Sequence, residues 1–282
     1  MASQSQPARM DLSPRAARLR ELLESAVKGS TAEGILLSGG LDTSILSAIA
    51  AHRGRKLRAI CISVAEGVGP DEPFAEALAK RCGFPLRILR PRLRDLVAAV
   101  PAVMRVLGGF DPMELRNSAV TWLAHQAAKE EAIAAVMTGD AADELFAGYS
   151  YIFNMPREQV RPYLDFLNRV MRFSSIPMGE SIGVAAHLPY LDPAVREFAL
   201  TLPAEDLVVE RAGERFGKKI LREAFGDLLG DDIGWRVKTP IEYGSGSHTL
   251  QEFALDSVSD EEFEAARVRV KAEDGVLLRD KE

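Results

Sequence analysis

Cysteine is nearly absent: Cys61 and Cys82 are the only two in 282 residues. Two isolated thiols build neither a disulfide framework nor a metal cluster, which is the usage of a reducing compartment. Cys61 falls inside an apolar strand-like run and is expected to be a buried, reduced thiol, whereas Cys82 is expected near a helix end, half exposed. No apolar run reaches the roughly 18 residues of a membrane span, and the N-terminal stretch carries no signal-peptide core. No Lys/Arg run forms a basic arm, and a formal net charge of −6 argues against non-specific nucleic-acid binding. Internal repeats and low-complexity tracts are missing as well. What remains is the expectation of a cytoplasmic globular protein, long enough for one large core or a core with a satellite domain.

The densest signal present is Ile35-Leu36-Leu37-Ser38-Gly39-Gly40-Leu41-Asp42-Thr43-Ser44. Three apolar residues end at a small-residue turn, and a helical pattern follows through Ile45, Leu46, Ala48 and Ile49. Gly39 and Gly40 let a backbone approach a ligand closely. Amides at the helix start, with the hydroxyls of Ser38, Thr43 and Ser44, form a nest suited to phosphate oxygens. Asp42 would repel phosphate unless a divalent cation lay between them. The stretch lacks the lysine of a Gly-x-x-x-x-Gly-Lys-Ser/Thr loop, so γ-phosphoryl transfer is not expected. Without a ligand, the same residues make a capped strand-to-helix turn.

Around that loop the sequence alternates. A Ser13-Pro14 start predicts a helix that Gly29-Ser30 ends, with Leu19, Leu22, Leu23, Ala26 and Val27 on one face. Residues 57–64 read as a second strand, 71–81 as a helix, and 86–89 as a third strand. This pattern predicts an α/β fold, a parallel sheet with helices on both faces, and a ligand site beyond the carboxyl ends of the strands. From residue 93 the pattern is mainly helical, with helices expected over 94–107, 117–129, 154–175, 192–200 and 216–229. In the helix over 154–175, Tyr163, Phe166, Leu167 and Val170 form the expected core face. A charge-dense turn at 110–117 is either solvated or brings Arg116 and Asn117 to a ligand. The sheet is expected at about residues 30–150, a helical lobe at about 151–257, and a charged helical tail at 258–282.

A second stretch, 134–149, ends an apolar run in Thr138-Gly139 and then carries Asp140, Asp143 and Glu144. Like charges this close repel unless they are protonated or share a cation. Asp140 and Asp143, three apart at a helix start, can face one point. Acids also favour helix N-termini without any ligand. Paired with the first loop, they suggest a metal and pyrophosphate platform built on two strand ends.

The Ser-Gly-Gly-Leu-Asp-Thr-Ser string resembles the pyrophosphate loop of the N-type ATP pyrophosphatases. About a hundred residues later, Gly139-Asp140-Ala141-Ala142-Asp143-Glu144-Leu145-Phe146-Ala147-Gly148-Tyr149 resembles the second segment of the asparagine and β-lactam synthetases. Pro189-Tyr190-Leu191-Asp192 resembles that family's Pro-Phe-Leu-Asp motif, and Lys219-Ile220-Leu221-Arg222 leads into Trp235-Arg236-Val237-Lys238 and a Gly-rich run at 244–246, read either as a mobile lid or as a simple turn. The resemblance covers residues 13–247 and implies an adenine nucleotide alpha-hydrolase-like fold. It further implies ATP with Mg2+ as cofactors, a carboxylate adenylated with release of AMP and pyrophosphate, and amide formation with ammonia.

On that basis the phosphates would lie on Ser38, Gly39, Gly40, Thr43 and Ser44, with magnesium held by Asp42 and Asp143. Thr138 and Gly139 would approach the ribose and α-phosphate, while Leu37, Ser63 and Lys219 complete the ATP-binding set; Lys219 and Arg222 either support Lys238 or are solvated helix residues. Lys238, Asp140, Asp143 and Glu144 would be catalytic. The family's glutaminase half begins with a Cys after the initiator Met. This chain begins Met1-Ala2-Ser3, so ammonia is expected free or from a separate glutaminase subunit, with a homo-oligomer conceivable. Asp140 stands where the family has Glu, which keeps the acid but shortens its reach; Ala185 and His187 stand where it has Glu and Arg, and these two changes put aspartate in doubt as the substrate. Two other readings stand beside this one: a thiolation-type tRNA base modifier, and a non-catalytic nucleotide-binding module.

Overall fold

The computed structural model describes residues 12–67, 69–108, 112–237 and 239–249. Lys238 and the charged tail expected at 258–282 lie outside the described residues. Ser13 Oγ accepts the Ala16 amide and Pro14 fills the first turn, so α1 (Pro14–Gly29) starts where the Ser-Pro pair predicts. The chain continues through β1 (Gly34–Leu36), α2 (Leu41–His52), β2 (Arg58–Ile62), α3 (Glu72–Cys82) and β3 (Leu86–Leu89). Two long helices, α4 (Leu93–Leu107) and α5 (Pro112–Glu130), lead to β4 (Ala135–Met137). Next come α6 (Ala142–Leu145), α7 (Ser150–Phe153), α8 (Arg157–Val170), α9 (Ser175–Ile182) and β5 (Ala185–His187). The remainder is α10 (Pro193–Leu200), α11 (Ala204–Leu207), a hairpin of β6 (Val209–Arg211) and β7 (Glu214–Phe216), α12 (Lys219–Leu229), α13 (Asp231–Gly234) and α14 (Ile241–Gly244).

Five strands pair in the order β3-β2-β1-β4-β5, all parallel. Ile35 of β1 stands between Ala59 and Met137, which fixes the register at the centre. Successive residues point to opposite faces. Ile35, Leu37, Ala59, Cys61, Ala135 and Met137 therefore join α1, α2, α3 and α12 in one apolar layer. Ile60, Ile62 and Val136 point the other way, into the layer built with α4, α5 and α9. Both faces are covered, which explains why the strands read as continuous apolar runs rather than alternating ones. The chain adds β2 and β3 on one side of β1, then returns to add β4 and β5 on the other. That reversal opens a crevice at the carboxyl ends of β1 and β4.

Three local expectations are corrected. The edge strand β5 was not foreseen: Ala185-Ala186-His187 is short and lacks β-branched residues, and only its pairing with β4 makes it a strand. Within the expected helix over 154–175, Pro156 delays the start and α8 buries Val160 and Leu164. Phe166 and Val170, expected in the core, are 46% and 50% exposed. The expected turn at 110–117 is mostly helical, because α5 begins at Pro112.

Candidate active site

The loop after β1 is built as its composition requires. Leu37 donates its amide to Ile60 O at 2.7 Å and turns its side chain into the core, so it can offer a ligand only backbone. Ser38 is exposed; its Oγ lies 3.2 Å from Thr43 Oγ1 and accepts the Gly40 amide at 3.2 Å. Ser38 and the first turn of α2 thus bring two hydroxyls, those of Ser38 and Thr43, and free-end amides to the crevice. Ser44, expected with them, is fully buried, and its Oγ has no hydrogen-bond partner among the described residues.

The loop after β4 comes up alongside. Thr138 donates its amide to His187 O at 3.0 Å, tying the loop to β5. Gly139 lies so close to the first loop that a Cβ would sit 2.9 Å from Asp42 Cβ. Ala141, Ala147 and Lys218 adopt positive φ (73°, 57° and 59°), a conformation disfavoured for residues with a Cβ. Two further non-glycine residues with positive φ, Ala132 and Ala212, lie elsewhere among the described residues.

Lys218 stands at the centre of a charged cluster. Its Nζ lies 2.6 Å and 2.7 Å from the two carboxylate oxygens of Asp42 and 2.6 Å from Asp143 Oδ1. Burial works against its ammonium, but the two carboxylates more than offset it, and its pKa is raised. Arg222, itself buried, holds the approach by donating to Gly217 O at 3.0 Å; burial lowers its pKa to about 10. Gly148 makes the cluster sterically feasible, since a Cβ there would lie 1.8 Å from Asp143 Oδ1. From the other side Tyr190, fully buried in the Pro-Tyr-Leu-Asp motif, donates to Asp42 O at 3.0 Å. The expected role of Lys219 is corrected: its Nζ bonds Glu205 O at 2.7 Å, away from the loop, and Lys218 takes the interior place. Sequence reasoning missed Lys218 and Tyr190. The doubled lysine after Gly217 and the aromatic in the motif were the available signals.

Asp42 and Asp143 converge on one point, as carboxylates sharing a cation would. Among the described residues no group of three or more His, Cys, Asp or Glu side chains could hold a metal by itself. Two carboxylates nonetheless fit magnesium, which takes its other oxygen ligands from phosphates and water.

The remaining acids sit next to this pair. Ser175 Oγ donates to Asp140 Oδ2, and burial pushes the Asp140 carboxyl above the usual range. Tyr149 donates to Glu144 Oε1 at 2.5 Å, and burial raises the Glu144 pKa as well. His187 Nδ1 lies 2.8 Å from Ser30 Oγ. Arg116 pairs with Glu242 at 3.3 Å. Ser63 lines a cavity of about 280 Å³ at the end of β2, together with Val64, Gly67, Gly69, Glu72 and Arg90. The Ser63 hydroxyl and the Arg90 guanidinium hold the Glu72 carboxyl below its ordinary range.

A parallel α/β sheet with a Gly-Gly loop after β1 and an acidic loop after β4, both at its carboxyl edge, is a doubly wound fold with its candidate site at the strand ends. The comparisons narrow the class. The sequence model described as Asparagine synthase matches residues 18–177 and 177–280, and the chain belongs to that family. Asparagine synthetase B (glutamine-hydrolyzing) of Escherichia coli strain K12 is 29% identical over 278 residues, covering 89% of this chain and 49% of that protein. A probable asparagine synthetase (glutamine-hydrolyzing) of Schizosaccharomyces pombe is also 29% identical, covering 88% of this chain and 51% of its own length. The chain thus spans about half the length of these relatives. Among solved structures, an NH3-dependent NAD synthetase from Campylobacter jejuni aligns over 97% of this chain and all of its own, at 13% identity and a TM-score of 0.41. No described helix is long and apolar enough to cross a membrane.

Proposed function

We propose that this chain uses ATP to adenylate a carboxylate, with release of pyrophosphate, and then forms an amide with ammonia. The observation that carries the reading is the convergence of Asp42, Asp143 and Lys218 beside the Ser38–Thr43 loop at the strand ends. In this reading Ser38, Gly39, Gly40 and Thr43 hold the β- and γ-phosphates, and Lys218 neutralises charge as pyrophosphate departs. Asp42 and Asp143 would hold magnesium, which would supply charge neutralisation there. Thr138 and Gly139 lie against the ribose and α-phosphate, and the cavity at Ser63 takes the nucleoside end.

A carboxylate oxygen of the substrate attacks the α-phosphorus, and the bond to the bridging oxygen breaks with its electron pair going to pyrophosphate. Ammonia then adds to the acyl carbon and AMP leaves. Asp140 and Glu144, which hold protons more readily than free acids, are placed to accept and return the proton shed by the nitrogen. Lys238 is assigned to charge on the reacting acyl group. Ammonia reaches the site free or from a separate glutaminase. With Ala185 and His187 at the acceptor side, aspartate is one candidate among carboxylic acids rather than a given.

The test is product analysis with ATP, magnesium, ammonium and a panel of carboxylic acids that includes aspartate. AMP and pyrophosphate should form in step with one amide, and ADP as the main nucleotide product would overturn the reading.

A further inference from the structure

The peptide joining Gly39 to Gly40 is the most flippable bond in the loop, because neither residue has a Cβ to oppose rotation. Its orientation decides what the loop shows a ligand. In a trans peptide the carbonyl and the amide N–H point in opposite directions, so a half-turn of this plane would replace a donor with an acceptor. An acceptor facing phosphate repels it.

Arg236 holds the carbonyl end of that peptide. Its Nη1 donates to Gly39 O at 3.0 Å, while Nη2 donates to the Asp71 carboxylate and lies 3.4 Å from Thr239 Oγ1. The guanidinium is stacked 3.9 Å over the Phe74 ring. The side chains of Arg236 and Asp71 are only 11% and 8% exposed, so the pair is shielded from water and salt. On the opposite side of the plane, the Gly40 N–H points toward Ser38 Oγ, on the hydroxyl side of the loop. Gly39 itself is pinned at φ 70°, where a Cβ would lie 2.7 Å from Ala75 N at the start of α3.

Residues 242–245, which follow Arg236 in the chain, are docked on the same strand ends by contacts of their own. Val64 donates to Ser245 O at 2.7 Å, Asp71 to Gly244 O at 3.3 Å, and Glu242 pairs with Arg116.

We infer that Arg236 is a positioning residue that locks the Gly39–Gly40 peptide with its N–H, not its carbonyl, toward the phosphate side. The inference rests on the phosphate-binding reading of the loop. A planar fork suits the task because it can bond the Gly39 carbonyl and the Asp71 carboxylate together; an ammonium on a lysine stem cannot reproduce that fixed pair of directions.

The experiment measures magnesium pyrophosphate binding calorimetrically in the full chain, alongside thermal melts. Arg236→Gln should weaken binding roughly tenfold to a hundredfold, the range for loss of one hydrogen bond to a charged group. Arg236→Lys should recover only part. A second background separates locking from a general structural loss. Gly40 has φ −73°, which alanine accepts, and the added Cβ would meet only the movable Ser38 Oγ at 3.2 Å. A flipped plane would drive residue 40 to positive φ, which alanine resists. The fold-loss caused by Arg236→Gln should therefore shrink when Gly40→Ala is already present. Equal losses in both backgrounds, or wild-type affinity in Arg236→Gln, would overturn the role of Arg236 while leaving the loop reading intact. Absence of pyrophosphate binding by the wild-type chain would overturn the loop reading, and this inference with it. If Arg236→Gln does not fold, Arg236→Lys carries the same comparison.

Discussion

At the scale of the residue, Lys218 is the position on which most depends. A nearly buried ammonium between two carboxylates is strongly held, and removing one partner of such a cluster costs about 3–5 kcal/mol. Lys218→Met should therefore lower the melting temperature of the free protein by several degrees. Added magnesium should return part of that loss, because the divalent ion can replace the missing charge between Asp42 and Asp143. A melt unchanged from wild type would remove Lys218 from its central place. The neighbouring substitution Lys219→Met should change little, since among the described residues that ammonium bonds the Glu205 carbonyl and no carboxylate. The contrast between two adjacent lysines shows what local sequence leaves open. Lys218 enters the site because a positive φ at the start of α12 turns its side chain inward, and nothing in the string Gly217-Lys218-Lys219 states that choice.

At the scale of the element, α5 and α9 meet around a fully buried histidine. His125 Nδ1 lies 2.9 Å from Thr121 O, and its Nε2 faces Gly179, where a Cβ would be 3.1 Å away. Burial holds its pKa below the ordinary value of about 6.5, against a smaller opposing effect of the Thr121 carbonyl. The unfolded chain then binds a proton that the folded one refuses. Stability is fully present above the unfolded pKa and declines as pH falls from there toward the depressed folded value, by up to about 1.4 kcal/mol per pH unit. Denaturant melts of wild type and His125→Gln at pH 7.5 and 5.5 should show a smaller pH-dependent loss in the variant. An identical loss would mean other groups carry the acid sensitivity. Helix α1 was readable, since it starts at the Ser13-Pro14 pair and stops at the Gly29-Ser30 pair that predict it. The strand β5 was not, because an edge strand of three residues is defined by its neighbour's hydrogen bonds rather than by its own composition.

At the scale of the whole molecule, the site unites segments distant in sequence. The loop after β1, the loop after β4, the start of α12 and the segment around Arg236 converge on one edge of the sheet. A ligand bound there should tie all four together and stabilise the folded chain by mass action, about 2.7 kcal/mol at a hundredfold excess over Kd. Magnesium with pyrophosphate should raise the melting temperature of the wild-type protein by several degrees, with a smaller rise in Asp42→Asn and in Asp143→Asn. An equal rise in the presence of a chelator would refute a shared metal.

The sequence by itself determined the parallel sheet, the Gly-Gly loop, the acidic loop and their order, because apolar periodicity, glycine and acid placement act over a few neighbouring residues. Its four motifs also carried the family resemblance. Only the tertiary structure decided that Lys218 and not Lys219 meets Asp42 and Asp143, that Leu37 and Ser44 turn inward, that Tyr190 supports the Asp42 backbone, and that Arg236 reaches Gly39. Each of these is a side-chain direction or a contact across more than a hundred residues, set when helices pack on a twisted sheet and not by the residues on either side.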